Sequence, residues 1–260
     1  MFRRNKLPPT RFERGAPTTR RLACLAVVVV AVLVSAAPFG LWKSMWAAER
    51  PTLYVFLQTD AKATVFERTL QQKLPGLSVT VFGRFRDFEE ALSSKRADAV
   101  LVLQPLLVAK GLAATLRGVY KGEDSERYVL VSAGAPLTGS LSNRLIGAVD
   151  VLGRQDTHGL VAQLLKTTDV KTKLVTKLED LLSLLQFSAA DAVLLPASAV
   201  KGFIERSRLA LHVRDLPDAR VGRASLSVLS PSVRATVSEQ IQAIDRATNE
   251  MMGVDGWRGK

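Results

Sequence analysis

The pentapeptide ADAVL occurs twice, at residues 97–101 within KRADAVLVLQP and at residues 190–194 within SAADAVLLPAS, 93 positions apart. A match of five common residues carries little weight alone, so the flanking sequence decides its meaning. In both copies a small residue and an aspartate precede an apolar, β-branched run, which predicts a tight turn followed by a buried strand. We therefore interpret Asp98 and Asp191 as turn residues at the N-terminal ends of their strands.

The same order of elements precedes each copy. Apolar or alternating β-branched runs predict strands, and apolar side chains at helical spacing predict helices. Before the first copy the predicted order is strand 53–58, helix 63–74, strand 77–82 and helix 86–96. Before the second copy it is strand 144–153, helix 157–168, strand 170–176 and helix 177–188. The spacing matches too, because Tyr54 precedes Asp98 by 44 positions and Gly147 precedes Asp191 by 44.

The repeat indicates two β-α-β-α-β units in one chain. Mostly apolar strands are typical of parallel sheets that are covered on both faces, and right-handed crossovers place the helices on those faces. Further strands are predicted at 128–133, 207–216 and 223–230, and one amphipathic helix at 232–252. We predict an α/β fold of two Rossmann-like lobes with a central cleft.

The N-terminus has the pattern of a targeting or membrane segment. Residues 1–21 are a basic tail that should stay cytoplasmic, and residues 22–42 are apolar without a charge. At 1.5 Å per residue, this segment just spans a bilayer core of about 30 Å. It is either a signal peptide, cleaved near residues 34–36 or 46–48, or a retained transmembrane anchor. Both interpretations place the rest of the chain outside the cytoplasm.

Charge and cysteine content narrow the function classes. The formal net charge is +12, but residues 1–21 contribute +6 of it, with seven Lys or Arg and one Glu. The remaining excess is spread among acidic residues, without the clustered basic surface that nucleic-acid binding needs. Cys24 is the only cysteine, so the exported part has neither a disulfide framework nor a thiolate metal site.

The chain resembles the type 2 periplasmic substrate-binding proteins of ABC transporters, in particular the phosphonate- and sulfonate-binding kind. The resemblance rests on the stretches ALSSKRADAVLVLQP, RYVLVS, IGAVDVLGRQDTHGLVAQLL, KLEDLLSLLQFSAADAVLLPASAV and MGVDGW. It implies a first lobe of residues 51–126 and 223–260 and a second lobe of residues 127–222. It also implies a monomer on the periplasmic side of the inner membrane, with an ABC permease as a possible partner. The chain is compact for this family, and its loop after the first strand is short.

In such a fold the ligand lies between the lobes, at strand C-termini and helix N-termini, where free N–H groups favour an anion. The candidate ligand-binding residues are Gln58, Thr59, Asp60, Arg84, Gln104, Ser132, Arg154, Gln155, Asp156, Thr157, His158 and Ser198. The loop GRQDTHG is the most suggestive, because Asp156 or Thr157 could cap a helix there. The same loop could equally be a plain helix cap.

The sequence lacks the local signatures of common catalytic sites, such as Gly-x-Ser-x-Gly, His-Glu-x-x-His or a Walker-type Gly-Lys-Ser/Thr. We expect no enzyme activity, no cofactor and no metal. The favoured function is an extracytoplasmic solute-binding protein for a small anionic, phosphonate-like ligand. The alternatives are a membrane-anchored sensor or accessory domain, and an enzyme on the same fold that uses Asp156 and His158.

Overall fold

The computed structural model describes residues 50–59, 61–94 and 96–259. The predicted basic tail and apolar segment, residues 1–21 and 22–42, lie outside the described residues, as does Asp60. Within the described ranges, no helix is long and apolar enough to cross a membrane.

The described chain alternates strands and helices in the order that the repeat predicts. Its strands are β1 (Thr52–Phe56), β2 (Ser78–Val81), β3 (Ala99–Leu103), β4 (Leu116–Val119), β5 (Ser125–Ala133), β6 (Leu145–Val149), β7 (Lys171–Val175), β8 (Ala192–Pro196), β9 (Leu211–Gly222), β10 (Ala224–Val228) and β11 (Gly256–Gly259). Its α-helices are α1 (Ala63–Lys73), α2 (Phe85–Ser93), α3 (Gln104–Ala109), α4 (Arg154–Leu165), α5 (Asp180–Gln186), α6 (Val200–Glu205), α7 (Arg234–Gln242) and α8 (Arg246–Met251).

The strands form two sheets, each the core of one lobe. The sheet of lobe 1 has the order β11-β4-β10-β3-β1-β2, and that of lobe 2 has the order β7-β6-β8-β5-β9. Strands β2, β1 and β3 are parallel in lobe 1, as β7, β6 and β8 are in lobe 2. The next strand in each sheet, β10 or β5, is antiparallel. The prediction of two α/β lobes is confirmed, but the sheets are mixed rather than wholly parallel.

The two ADAVL aspartates make equivalent contacts, which explains the repeat. The Asp98 carboxylate accepts a hydrogen bond from the Thr52 N–H at 2.9 Å, and the Asp191 carboxylate accepts one from the Leu145 N–H at 2.7 Å. In return, the N–H of each aspartate donates to the carbonyl of Thr52 or Leu145. Each aspartate therefore links the start of its own strand to the start of the first strand of its unit.

Apolar side chains cover both faces of each sheet. In lobe 1, one cluster around Phe66 and Leu101 packs beneath α1 and α7, and a second around Phe88 and Val102 packs beneath α2 and α3. Lobe 2 has the same two-sided arrangement, with α4 against one face and α5 against the other. This burial explains why the inner strands are nearly continuous apolar runs.

The predicted closing helix 232–252 is wrong as a single element, because the structure divides it into α7 and α8. The break lies at Ala243–Asp245, where Asp245 caps α8 by accepting the N–H of Thr248 at 2.9 Å. Asp245 also pairs with Lys73 at the end of α1, at 2.8 Å. The apolar periodicity continues through the break since Val237, Ile241 and Ile244 all face the core of lobe 1.

We predict that Asp98→Ala lowers the free energy of unfolding by about 2 kcal/mol, because it leaves a strand N–H without its acceptor. The Asp98 carboxylate also accepts the Ser230 hydroxyl at 2.7 Å, whereas Asp191 is exposed and has only an additional ion pair with Arg144 at 3.5 Å. Asp191→Ala is therefore the matched control and should cost less. Urea denaturation followed by circular dichroism measures both, and an equal or reversed order would contradict this account.

We also predict an acid-sensitive contribution to stability at the start of α8. The hydrogen bond from Lys73, with that from the Thr248 N–H, lowers the pKa of Asp245 from 3.8 to about 2. Because the folded-state pKa lies below the unfolded one, this contribution is complete above about pH 4 and is lost as the pH falls towards 2. The unfolding temperature of Asp245→Asn and of Lys73→Met should fall less between pH 4 and 2.5 than that of the parent chain. Equal slopes for all three proteins would refute the assignment.

Candidate functional site

A cavity of about 520 Å³ lies between the two sheets, at the carboxyl ends of their parallel strands. In lobe 1 it is lined by the ends of β1, β2 and β3, and in lobe 2 by the segments that follow β7 and β8. The residues that complete its wall come from the start of β5, the start of β10 and the end of α8. This is the edge at which open α/β sheets bind their ligands.

Six charged residues line the cavity, three of each sign. They are Lys62, Lys177, Arg223, Glu126, Glu179 and Glu250. Two of the carboxylates are engaged, because Glu126 pairs with Arg223 at 3.2 Å and Glu250 pairs with Arg246 at 2.8 Å. Among the described residues, none forms an ion pair with Lys62, Lys177 or Glu179. These three side chains are thus available to a ligand that carries charge.

The first turn of α1 faces the cavity. Lys62 is the N-cap residue, and it, Ala63 and Thr64 all line the wall. The Lys62 side chain makes no capping hydrogen bond, and the first turn of α1 contains no acidic residue. A helix N-terminus presents N–H groups and a partial positive charge, and the Lys62 ammonium adds to it. This part of the wall therefore favours an anionic group.

Arg223 lies where the chain returns from lobe 2 to lobe 1, between β9 and β10. Its N–H donates to the carbonyl of Asp124, and its carbonyl accepts the N–H of Gln104. Its guanidinium binds Glu126 and the carbonyl of Gly253 and lies over the ring of Tyr120, 5.2 Å from the centroid. Through its backbone and its side chain, Arg223 therefore joins both connections between the lobes to the C-terminal segment.

The Arg223–Glu126 pair is mostly buried, with side chains that are 11% and 18% exposed. The second carboxylate oxygen of Glu126 accepts the N–H of Ser198, after β8, at 3.2 Å. Burial, followed by the charge of Glu126, raises the pKa of the neighbouring Tyr128 hydroxyl, whereas Arg223 lowers it. Tyr128 is thus a neutral hydroxyl in the cavity wall at physiological pH.

Three of the residues predicted from the sequence line this cavity, namely Gln58, Thr59 and Ser198. The Gln58 amide nitrogen is buried and has no hydrogen-bond partner among the described residues. Gln58 also borders a recess of about 20 Å³ that is otherwise lined mainly by apolar residues of lobe 2. A buried donor without a partner is costly, so Gln58 is the strongest of the three as a ligand contact.

The loop before α4 does not have the predicted arrangement. The helix begins at Arg154 with Gly153 as its N-cap residue, so the expected cap by Asp156 or Thr157 is wrong. The Thr157 hydroxyl is buried and bonds instead to Asp150 and the N–H of Leu152. Exposed positions on α4, outside the cavity lining, are occupied by Arg154, Gln155, Asp156 and His158. His158 contacts the Thr172 hydroxyl at 3.1 Å.

The remaining predicted residues lie away from the cavity lining. Ser132 is buried at the far end of β5, where its hydroxyl donates to the carbonyl of Ala135. Because β5 runs antiparallel to β8, the start of β5 faces the cleft and its end points away. Arg84 is the exposed N-cap residue of α2, and the Gln104 side chain packs closely against Gly222.

Sequence reasoning missed all six charged residues of the cavity lining, namely Lys62, Glu126, Lys177, Glu179, Arg223 and Glu250. The antiparallel direction of β5 and β10 brings the start of each strand to the cleft, and the apolar pattern of a strand does not reveal its direction. Lys62 directly precedes the predicted helix 63–74, and Lys177 is the first residue of the predicted helix 177–188. A position at a helix start is the one signal that could have identified these two residues.

No family model matches this sequence, and no curated protein matches it. Solved structures do resemble it. XAC2383 from Xanthomonas citri, bound to chloride, is 15% identical over 80% of this chain and 91% of its own, with a TM-score of 0.57. The periplasmic VFT2 domain of BvgS from Bordetella pertussis is 14% identical over 80% of this chain and 94% of its own, with a TM-score of 0.53.

The amino acid ABC transporter substrate-binding protein AbpA from Streptococcus pneumoniae, bound to L-arginine, is also similar. It is 14% identical over 80% of this chain and 94% of its own, with a TM-score of 0.55. At these identities the likeness shows the fold alone. The chain has the type 2 periplasmic-binding-protein fold, the fold of solute-binding proteins that bind small ligands.

We predict that Arg223→Met lowers the free energy of unfolding by about 3 kcal/mol, because it leaves the mostly buried Glu126 without its partner. The double variant Arg223→Met with Glu126→Gln should recover part of that loss. Arg220→Met is the matched control, since Arg220 pairs with Glu123 at an exposed position and should change stability by less than about 1 kcal/mol. Chemical denaturation measures all three variants. Equal effects of the two arginine substitutions would show that the buried pair has no special role.

Proposed function

We propose that this chain is an extracytoplasmic solute-binding protein that captures a small molecule between its two lobes. The observation that carries the proposal is the cavity of about 520 Å³ at the carboxyl ends of five parallel strands from both sheets. Its volume lies within the range of about 300–1,000 Å³ that is typical of small-ligand sites. In the proposed arrangement, lobe 1 comprises residues 51–126 and 223–260, and lobe 2 comprises residues 127–222.

The charges of the wall favour a ligand with an anionic and a cationic group, such as an amino acid. The anionic group would lie at the first turn of α1, near Lys62 and Lys177, and the cationic group near Glu179. The structure of AbpA with L-arginine supports this class by analogy of fold. A phosphonate-like dianion, which the sequence resemblance suggests, would leave Glu179 without a counter-charge.

The cellular setting is part of the same proposal. A binding protein of this fold acts outside the cytoplasm, held at the membrane or released, according to whether residues 22–42 are an anchor or a signal peptide. It would act as a monomer and deliver its ligand to an ABC permease. A gene cluster with a permease and an ATPase would support this setting.

Isothermal titration calorimetry of the full chain in detergent tests the ligand class. The titrants are L-amino acids, their deaminated acids, the corresponding amines and alkyl phosphonates. We expect the amino acids to bind most tightly, the acids more weakly and the amines least, because the wall offers two ammonium groups and one free carboxylate. Tighter binding of phosphonates would assign the anionic class instead, and an absence of heat with every titrant would contradict a solute-binding role.

For the ligand that binds most tightly, Lys177→Ala should weaken binding by about tenfold or more, since a charge-assisted hydrogen bond contributes about 1.5–3 kcal/mol. Lys201→Ala is the matched control. Lys201 is exposed on α6, outside the cavity lining, and pairs with Glu205 at 3.9 Å. An equal loss of ligand affinity in both variants would show that Lys177 does not contact the ligand.

A membrane-anchored sensor or accessory domain is the second candidate function. The apolar segment 22–42, interpreted as an anchor, and the compact chain favour it. In that case the gene would lie beside a kinase or a cell-envelope cluster instead of a permease. Ligand binding would be retained, but deletion of the gene would leave uptake of the ligand unchanged.

A further inference from the structure

The loop between β6 and α4 projects apolar side chains out of lobe 2. The Thr157 hydroxyl fixes this loop, because it donates to Asp150 at 2.9 Å and accepts the N–H of Leu152 at 3.0 Å. Val151 and Leu152 are nevertheless only 8% and 6% exposed. The apolar cluster that buries them consists otherwise of lobe 1 residues, including Phe56, and of partly buried Leu160.

Phe85 of lobe 1 lies directly against the start of α4. A Cβ atom placed on Gly153 would come within 2.7 Å of the Phe85 ring, and Gly153 has a φ of 91°, which other residues rarely adopt. Phe85 is itself supported within lobe 1, since its ring meets the edge of Phe56, which stacks on the buried Phe88. The contact therefore joins two preorganised surfaces, one from each lobe.

We propose that this seam, formed by Phe85 with Val151, Leu152 and Gly153, holds the lobes closed before any ligand binds. Opening the lobes would expose Val151, Leu152 and the Phe85 ring to water, which is unfavourable in proportion to the apolar area. The proposal concerns the ligand-free protein and does not depend on which solute the cavity binds.

The closed state has a consequence for how a solute enters. A cleft that is held closed by apolar contacts admits a ligand only in its rarer open state, which reduces the apparent affinity by the open fraction. Removal of the seam would therefore raise the open fraction. Such a protein changes little in shape when it binds its ligand.

Distances between spin labels on the two lobes test the proposal in the full chain, in detergent and without ligand. Cys24 is replaced by serine, and labels are placed at the exposed positions Ser93 on α2 and Gln163 on α4, as S93C and Q163C. We expect one narrow short-distance population in this background. Phe85→Ala should raise the ratio of long to short distances by about tenfold, as the loss of a partly buried ring predicts.

Leu152→Ala weakens the seam from the other lobe and should produce the same long-distance population. Phe85→Leu keeps an apolar side chain and should remain closed. Phe187→Ala is the matched control, because that ring is 78% exposed and its loss should leave the distances unchanged. A broad or long-distance population in the ligand-free background, or distances in Phe85→Ala and Leu152→Ala equal to those of the background, would overturn the proposal.

Discussion

The mostly buried ion pair of Arg223 and Glu126 is the interaction on which the arrangement of the lobes depends. The backbone of Arg223 joins the two connections between the sheets, and its guanidinium binds both Glu126 and the carbonyl of Gly253. Glu126 in turn holds the turn after β8 through the N–H of Ser198. The pair therefore fixes one part of the cavity lining, and the strand ends of both lobes form much of the rest of that lining.

The contacts between the lobes divide the cleft into two parts with different chemistry. Beside α4, the lobes meet through the apolar side chains of Phe85, Val151 and Leu152. Beside α1, Lys62 and Lys177 line the cavity. This separation explains how one cleft can combine an apolar seam that favours closure with a charged region that is suited to a solute.

Much of the fold could be predicted from the sequence, because ADAVL and its flanking elements repeat with equal spacing. The equivalent bonds of Asp98 and Asp191 show the physical reason for the repeat. The site was less predictable. Strand direction is set by tertiary pairing, so Ser132 lies at the far end of β5 while Glu126, at its start, faces the cavity. Likewise, the Thr157 hydroxyl serves its own loop instead of a ligand, which only the contacts of that loop reveal.

We propose that the ligand lies in the cavity between the start of α1 and the segment after β7. A crystal structure of the full chain, grown with the tightest-binding solute, tests this most directly. We expect density for one solute molecule within hydrogen-bonding distance of Lys62, Gln58 and Lys177. Density at the exposed surface of Arg154 and His158 instead, with the cavity filled only by water, would contradict it.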